Sequence, residues 1–113
     1  MVHAAFGHAE PQWEKLNVIV RAYSQRGKLD PHVDRPDLFE EDVYGCIFEN
    51  TTDVGLTFHA PEVQAWGNSK VVYRLPEKPG LCIHMAGDAR YGWKHEIPPI
   101  QRGKRLSVTW RFY

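Results

Sequence analysis

The sequence predicts an all-β domain, and three observations carry that expectation. Six segments of five to eight residues are rich in β-branched and aromatic side chains. Turn signals separate them: Gln25-Arg-Gly27, Asn50-Thr-Thr-Asp53, Trp66-Gly-Asn-Ser69, Glu77-Lys-Pro-Gly80 and Pro98-Pro99. No apolar pattern holds a helical period beyond about two turns. Short strands at regular spacing favour a sandwich, jelly roll or small barrel.

The first segment, Leu16 to Tyr23, places Leu16, Val18 and Val20 on one face and Arg21 and Tyr23 on the other. A short helical turn is expected at Pro36 to Asp42. Val43 to Glu49 and Gly55 to His59 read as the next strands, followed by a second short turn at Pro61 to Ala65. Lys70 to Leu75 and Leu81 to Met85 complete the middle of the chain. In the last strand, Arg105 to Phe112, alternation puts Arg105, Ser107, Thr109 and Arg111 on one face and Leu106, Val108, Trp110 and Phe112 on the other. A polar face of this kind either meets water or lines the interior of a barrel that holds an anion, where a guanidinium can grip a carboxylate through two parallel hydrogen bonds.

At 113 residues the chain is long enough for one domain with a core and too short for two. Fourteen basic residues balance fourteen acidic ones, so nothing marks a nucleic-acid binder of the strongly basic kind. The one basic cluster, Arg102-Gly-Lys104-Arg105, reads as a solvated turn. Cys46 and Cys82 match no metal-binding spacing and lie in apolar surroundings, which predicts two buried free thiols and a reducing compartment. The first residues show no signal-peptide pattern, and no stretch reaches membrane-spanning length; a soluble, intracellular protein is expected, in cytoplasm, nucleus or an organelle.

The chemistry lies in an ordered series: His32-Val-Asp34, then His95, then Arg105-Leu-Ser-Val-Thr-Trp-Arg111. Two imidazoles and a carboxylate can occupy one face of an Fe(II) ion and leave the other open to small ligands. The His-x-Asp triplet alone is weak evidence, and the arginines that follow give it weight by supplying a clamp for a dicarboxylate. His59 and His84 could complete a cupin-like site instead, but a satisfied core or edge histidine is the simpler reading. Trp66, Trp93 and Trp110 read as core aromatics, with Trp93 also placed to line the cavity beside His95.

From about Val18 to Phe112 these residues resemble the AlkB-like Fe(II)/2-oxoglutarate dioxygenases. The segment Gly87-Asp-Ala-Arg90-Tyr-Gly-Trp-Lys-His95-Glu-Ile-Pro-Pro99 is similar to the stretch leading to that family's second metal histidine, and Arg105-x-Ser-x-Thr-x-Arg111 to its closing Arg-x-Asn-x-Thr-x-Arg motif. The resemblance implies a double-stranded β-helix (jelly roll) with only short helical turns, spanning residues 15–113 after an N-terminal extension of residues 1–14. It implies His32, Asp34 and His95 as catalytic iron ligands. Arg105 would hold the distal carboxylate of 2-oxoglutarate, Arg111 would lie near its chelating end, and Tyr23 would contact the cosubstrate. Arg21 stands where the family has asparagine, and would either crowd the pocket or supply a different anion contact.

The activity so implied is oxidative decarboxylation of 2-oxoglutarate with O2, coupled to hydroxylation or oxidative demethylation of a nucleic acid or protein. Only 22 residues precede Tyr23, which leaves no room for a base-binding lid there, and Pro36 stands where some base-repairing members carry an acid. The alternative is a catalytically silent AlkB-like subunit that binds or supports a larger assembly. The apolar outer faces of the first and last strands predict a cover: a protein partner, a second copy, or an N-terminal segment.

Overall fold

The computed structural model describes residues 13–61 and 71–113. A 3-10 turn, Trp13–Lys15, leads into eight strands and one short helix: β1 Leu16–Tyr23, β2 Leu29–His32, β3 Val43–Asn50, β4 Thr57–His59, β5 Val72–Arg74, β6 Cys82–Met85, α1 Gly87–Tyr91, β7 Lys94–Ile97 and β8 Arg105–Phe112. They form two four-stranded sheets, ordered β1-β8-β3-β6 and β2-β7-β4-β5. Every registered pair is antiparallel, and the two sheets make a jelly roll. The turn expected at Trp66 to Ser69, the greater part of the helical turn expected at Pro61 to Ala65, and most of the expected N-terminal extension lie outside the described residues.

Period-two alternation builds the space between the sheets. Along β3, Val43, Gly45 and Ile47 are buried while Tyr44 and Cys46 face outward. Arg105 and Ser107 at the start of β8 are buried on the same side. Val43, Leu56, Phe58, Met85 and Ile97, drawn from both sheets and their connections, form the apolar core. Burying such side chains contributes roughly 1.5–3 kcal/mol each, which is the main force holding one sheet against the other. Gly103, at φ +88°, turns the chain into β8; a Cβ there would meet the Thr51 carbonyl oxygen at 2.6 Å. Thr51 and Lys104 are then joined by two hydrogen bonds of 2.9 Å, which fixes where β8 and Arg105 begin.

On the outer face, Val18 is 51% and Val20 64% exposed, whereas Leu106, Val108, Trp110 and Phe112 are half-buried. The expectation of two buried free thiols is corrected on this face. Cys46 and Cys82 stand directly opposite each other on β3 and β6 and form a disulfide. Outward alternation brings them together there, so neither sulfur belongs to the core and the inference of a reducing compartment drops out. Among the described residues, no helix is long and apolar enough to cross a membrane.

Candidate metal and anion site

His32 and His95 face each other in the register of β2 and β7, their ring centroids 4.3 Å apart. Pro31 is tolerated one residue before His32 because β2 is an edge strand. Asp34 follows on the loop leaving β2, with its side chain 4% exposed. Its Oδ1 lies 3.4 Å from His32 Nε2 and 3.2 Å from His95 Nε2, and the three donor atoms all fall within 4.8 Å of one another. Donors about 2.1 Å from a common octahedral ion stand about 3 Å apart at right angles, so this spacing suits one small divalent cation. His32 Nδ1 donates to the Asp30 carbonyl at 2.8 Å, which leaves the Nε2 lone pair facing the site.

The other carboxylate oxygen is already held. Arg111 Nη1 donates to Asp34 Oδ2 at 2.6 Å, its Nε donates to Asn17 Oδ1 at 3.0 Å, and its guanidinium lies 3.6 Å from the Phe39 ring centre. Burial pushes the Asp34 carboxyl up, but contacts from His32, His95 and Arg111 outweigh it and hold the group far below the usual carboxylate range. The hydrogen bond to Asp34 raises the His32 pKa, against burial, which lowers it. In the metal-free state the site is thus a carboxylate bracketed by Arg111 and the two histidines, with Oδ1 directed between the rings.

Two residues without an assigned role in the sequence hold this arrangement. Arg90, on α1, is fully buried and donates to the carbonyls of Asp34 at 2.7 Å, Phe39 at 3.2 Å and Glu40 at 3.3 Å. One side chain thereby fixes the loop that carries Asp34. Glu77, on the loop between β5 and β6, meets Arg105 through two hydrogen bonds of 2.7 Å, from Nε to Oε1 and from Nη2 to Oε2. Asn50 Nδ2 donates to the same Oε1 at 3.1 Å. A Cβ on Gly55 would lie 3.2 Å from Glu77 Cγ and 2.9 Å from the Leu75 carbonyl oxygen, so glycine there lets the loop close down.

The structure therefore brings His32, Asp34, His95, Arg21, Arg105 and Arg111 to the walls of one cavity, where both arginines of the closing motif have carboxylate partners. Arg111 is paired with the candidate metal carboxylate and Arg105 with Glu77. Tyr23 packs against the core, its hydroxyl 3.4 Å from Arg21 Nη1. Trp93 does not line this cavity; it borders an apolar groove between the edge strands β5 and β6 with Val72, Tyr73 and Ile83. His59 pairs with Glu96 at 2.7 Å and His84 with Asp42 at 2.6 Å, so each of these histidines has a carboxylate partner.

No family model matches the chain. Uncharacterized protein L905 of Acanthamoeba polyphaga mimivirus is 32% identical over 104 residues, which cover 83% of this chain and 46% of that protein. Among solved structures, a Pseudomonas putida prolyl-4-hydroxylase superposes with a TM-score of 0.62 at 18% identity, covering 86% of this chain and 51% of that one. An oxidoreductase of the 2OG-Fe(II) oxygenase family from Burkholderia pseudomallei gives 0.60 at 14% identity, covering 98% and 47%. The chain spans about half the length of each of these proteins. Its fold is the jelly roll found in 2OG-Fe(II) oxygenases.

Proposed function

We propose that the chain is an Fe(II)/2-oxoglutarate-dependent dioxygenase domain. His32, Asp34 and His95 hold the metal, and residues 15–113 form the catalytic jelly roll. The observation that carries this reading is the convergence of His32 Nε2, Asp34 Oδ1 and His95 Nε2 from two facing strands and a loop. Two neutral nitrogens and one carboxylate oxygen are the donor set that Fe(II) oxygenases use, and the shared fold supports the same assignment. When bound, iron and 2-oxoglutarate supply the oxidising chemistry. The protein's residues do the rest: Asp30 fixes the His32 tautomer, Arg111 turns Asp34 so that Oδ1 faces the metal, and Arg90 holds the loop in place.

The substrate class is a protein or nucleic acid bearing an oxidisable C–H group. The likeness to a prolyl-4-hydroxylase favours hydroxylation, whereas an AlkB-like demethylase role rests on the closing motif Arg105 to Arg111. A silent binding subunit is the second reading, favoured by the internal pairing of Arg105 with Glu77. The test is anaerobic addition of Fe(II) and 2-oxoglutarate, followed by exposure to O2. The dioxygenase reading expects a weak visible charge-transfer band and then succinate. A band without succinate selects the silent subunit, and no metal binding removes the dioxygenase reading.

A further inference from the structure

Resting on the dioxygenase reading, we infer that Arg21, and not Arg105, is the cation that holds the distal carboxylate of a 2-oxo dicarboxylic acid in this cavity. The Arg105 guanidinium is filled: Nε and Nη2 are bound to the two oxygens of Glu77, and Nη1 donates to Ser107 Oγ at 3.1 Å. The pair is sealed from water, with side-chain exposures of 4% and 1%. An incoming carboxylate would replace one ion pair by another and leave Glu77 buried without its partner, so exchange brings no net electrostatic gain.

Arg21 differs on each count. It lies on the inward face of β1, in register with Ser107 of β8, two register positions closer to Arg111 than the Tyr23 and Arg105 pair. It lines the same cavity as His32, Asp34 and His95. Its guanidinium approaches the Tyr23 hydroxyl at 3.4 Å, longer than a usual hydrogen bond, and among the described residues no carboxylate lies within ion-pair distance of it. A half-buried guanidinium without a counter-ion among the described residues, in a cavity whose other arginines are already paired, is the group a second carboxylate would meet.

The experiment is calorimetric titration of the Mn(II)-loaded chain with 2-oxoglutarate and with 2-oxobutanoate, which lacks the distal carboxylate. The parent should prefer 2-oxoglutarate. In Arg21→Ala that preference should collapse by at least tenfold, with affinities for Mn(II) and 2-oxobutanoate unchanged, and Arg21→Lys should retain part of it. Retained Mn(II) binding shows that the variant is folded. A parent-like preference in Arg21→Ala overturns this inference alone. A parent that binds neither acid overturns the dioxygenase reading as well.

Discussion

Replacing Arg90 with alanine should unsettle the metal site without touching a metal ligand. The guanidinium is fully buried, and its partners are backbone carbonyls of the loop after β2, the best of them Asp34 O at 2.7 Å, with Phe39 O and Glu40 O at 3.2 and 3.3 Å. A hydrogen bond to a charged donor contributes about 1.5–3 kcal/mol, and the two longer ones count for less. Removing these, with a fourth at 3.5 Å to the Arg35 carbonyl, and leaving a cavity should cost about 3–5 kcal/mol, a large part of the roughly 5–15 kcal/mol expected of a domain. Urea unfolding measures this. Arg90→Lys, which keeps the charge but not the planar fork, should fall between parent and alanine. Mn(II) affinity should drop more than tenfold in the alanine variant, because Asp34 loses its fixed position. An unfolding free energy within ~1 kcal/mol of the parent, with unchanged Mn(II) affinity, would refute the role given to Arg90.

Glu77→Ala leaves the Arg105 guanidinium buried and unpaired and should lower stability by about 3–5 kcal/mol in urea; a neutral result would mean that the pair is not formed. The Cys46 and Cys82 bond closes a separation of 36 residues, so reduction should cost about 2–4 kcal/mol, and thiol titration of the native, unreduced chain should find neither cysteine free. In the metal-free protein, the raised pKa of His32 gives stability that is fully present below its ordinary 6.5 and is lost as pH rises through the raised value. The lowered pKa of Asp34 gives stability present above its ordinary 3.8 and lost as pH falls through the lowered value. Metal-free stability should therefore be greatest between about pH 4 and 6.5. Mn(II) affinity should run the other way and grow with pH, since His32 must be neutral to bind; a His32→Gln variant whose urea midpoint keeps the parent's pH profile would contradict the assignment.

The strands richest in β-branched and aromatic side chains were legible residue by residue. Leu16–Tyr23 and Arg105–Phe112 form over the segments their composition marks, and their inward faces carry Arg21, Arg105 and Arg111 as alternation requires. The strands that carry the two histidines were not legible. Leu29-Asp-Pro-His32 contains a proline and Lys94-His-Glu-Ile97 is largely polar, so both take their extended form from pairing with each other rather than from propensity. Gly87–Tyr91 forms a short helix that composition did not announce, and its product is the buried Arg90. The partners of the charged groups were likewise hidden. Glu77 lies 28 residues from Arg105 and Cys46 lies 36 from Cys82, and only the folded register brings them together.

The central claim is that His32, Asp34 and His95 hold one divalent metal, and Mn(II) titration followed by electron paramagnetic resonance tests it most directly. The parent should bind one ion per chain. His32→Ala should bind none, and because the His32 side chain is 35% exposed at the sheet edge, the variant should stay folded by circular dichroism. A folded His32→Ala protein that takes up Mn(II) as tightly as the parent would contradict the claim.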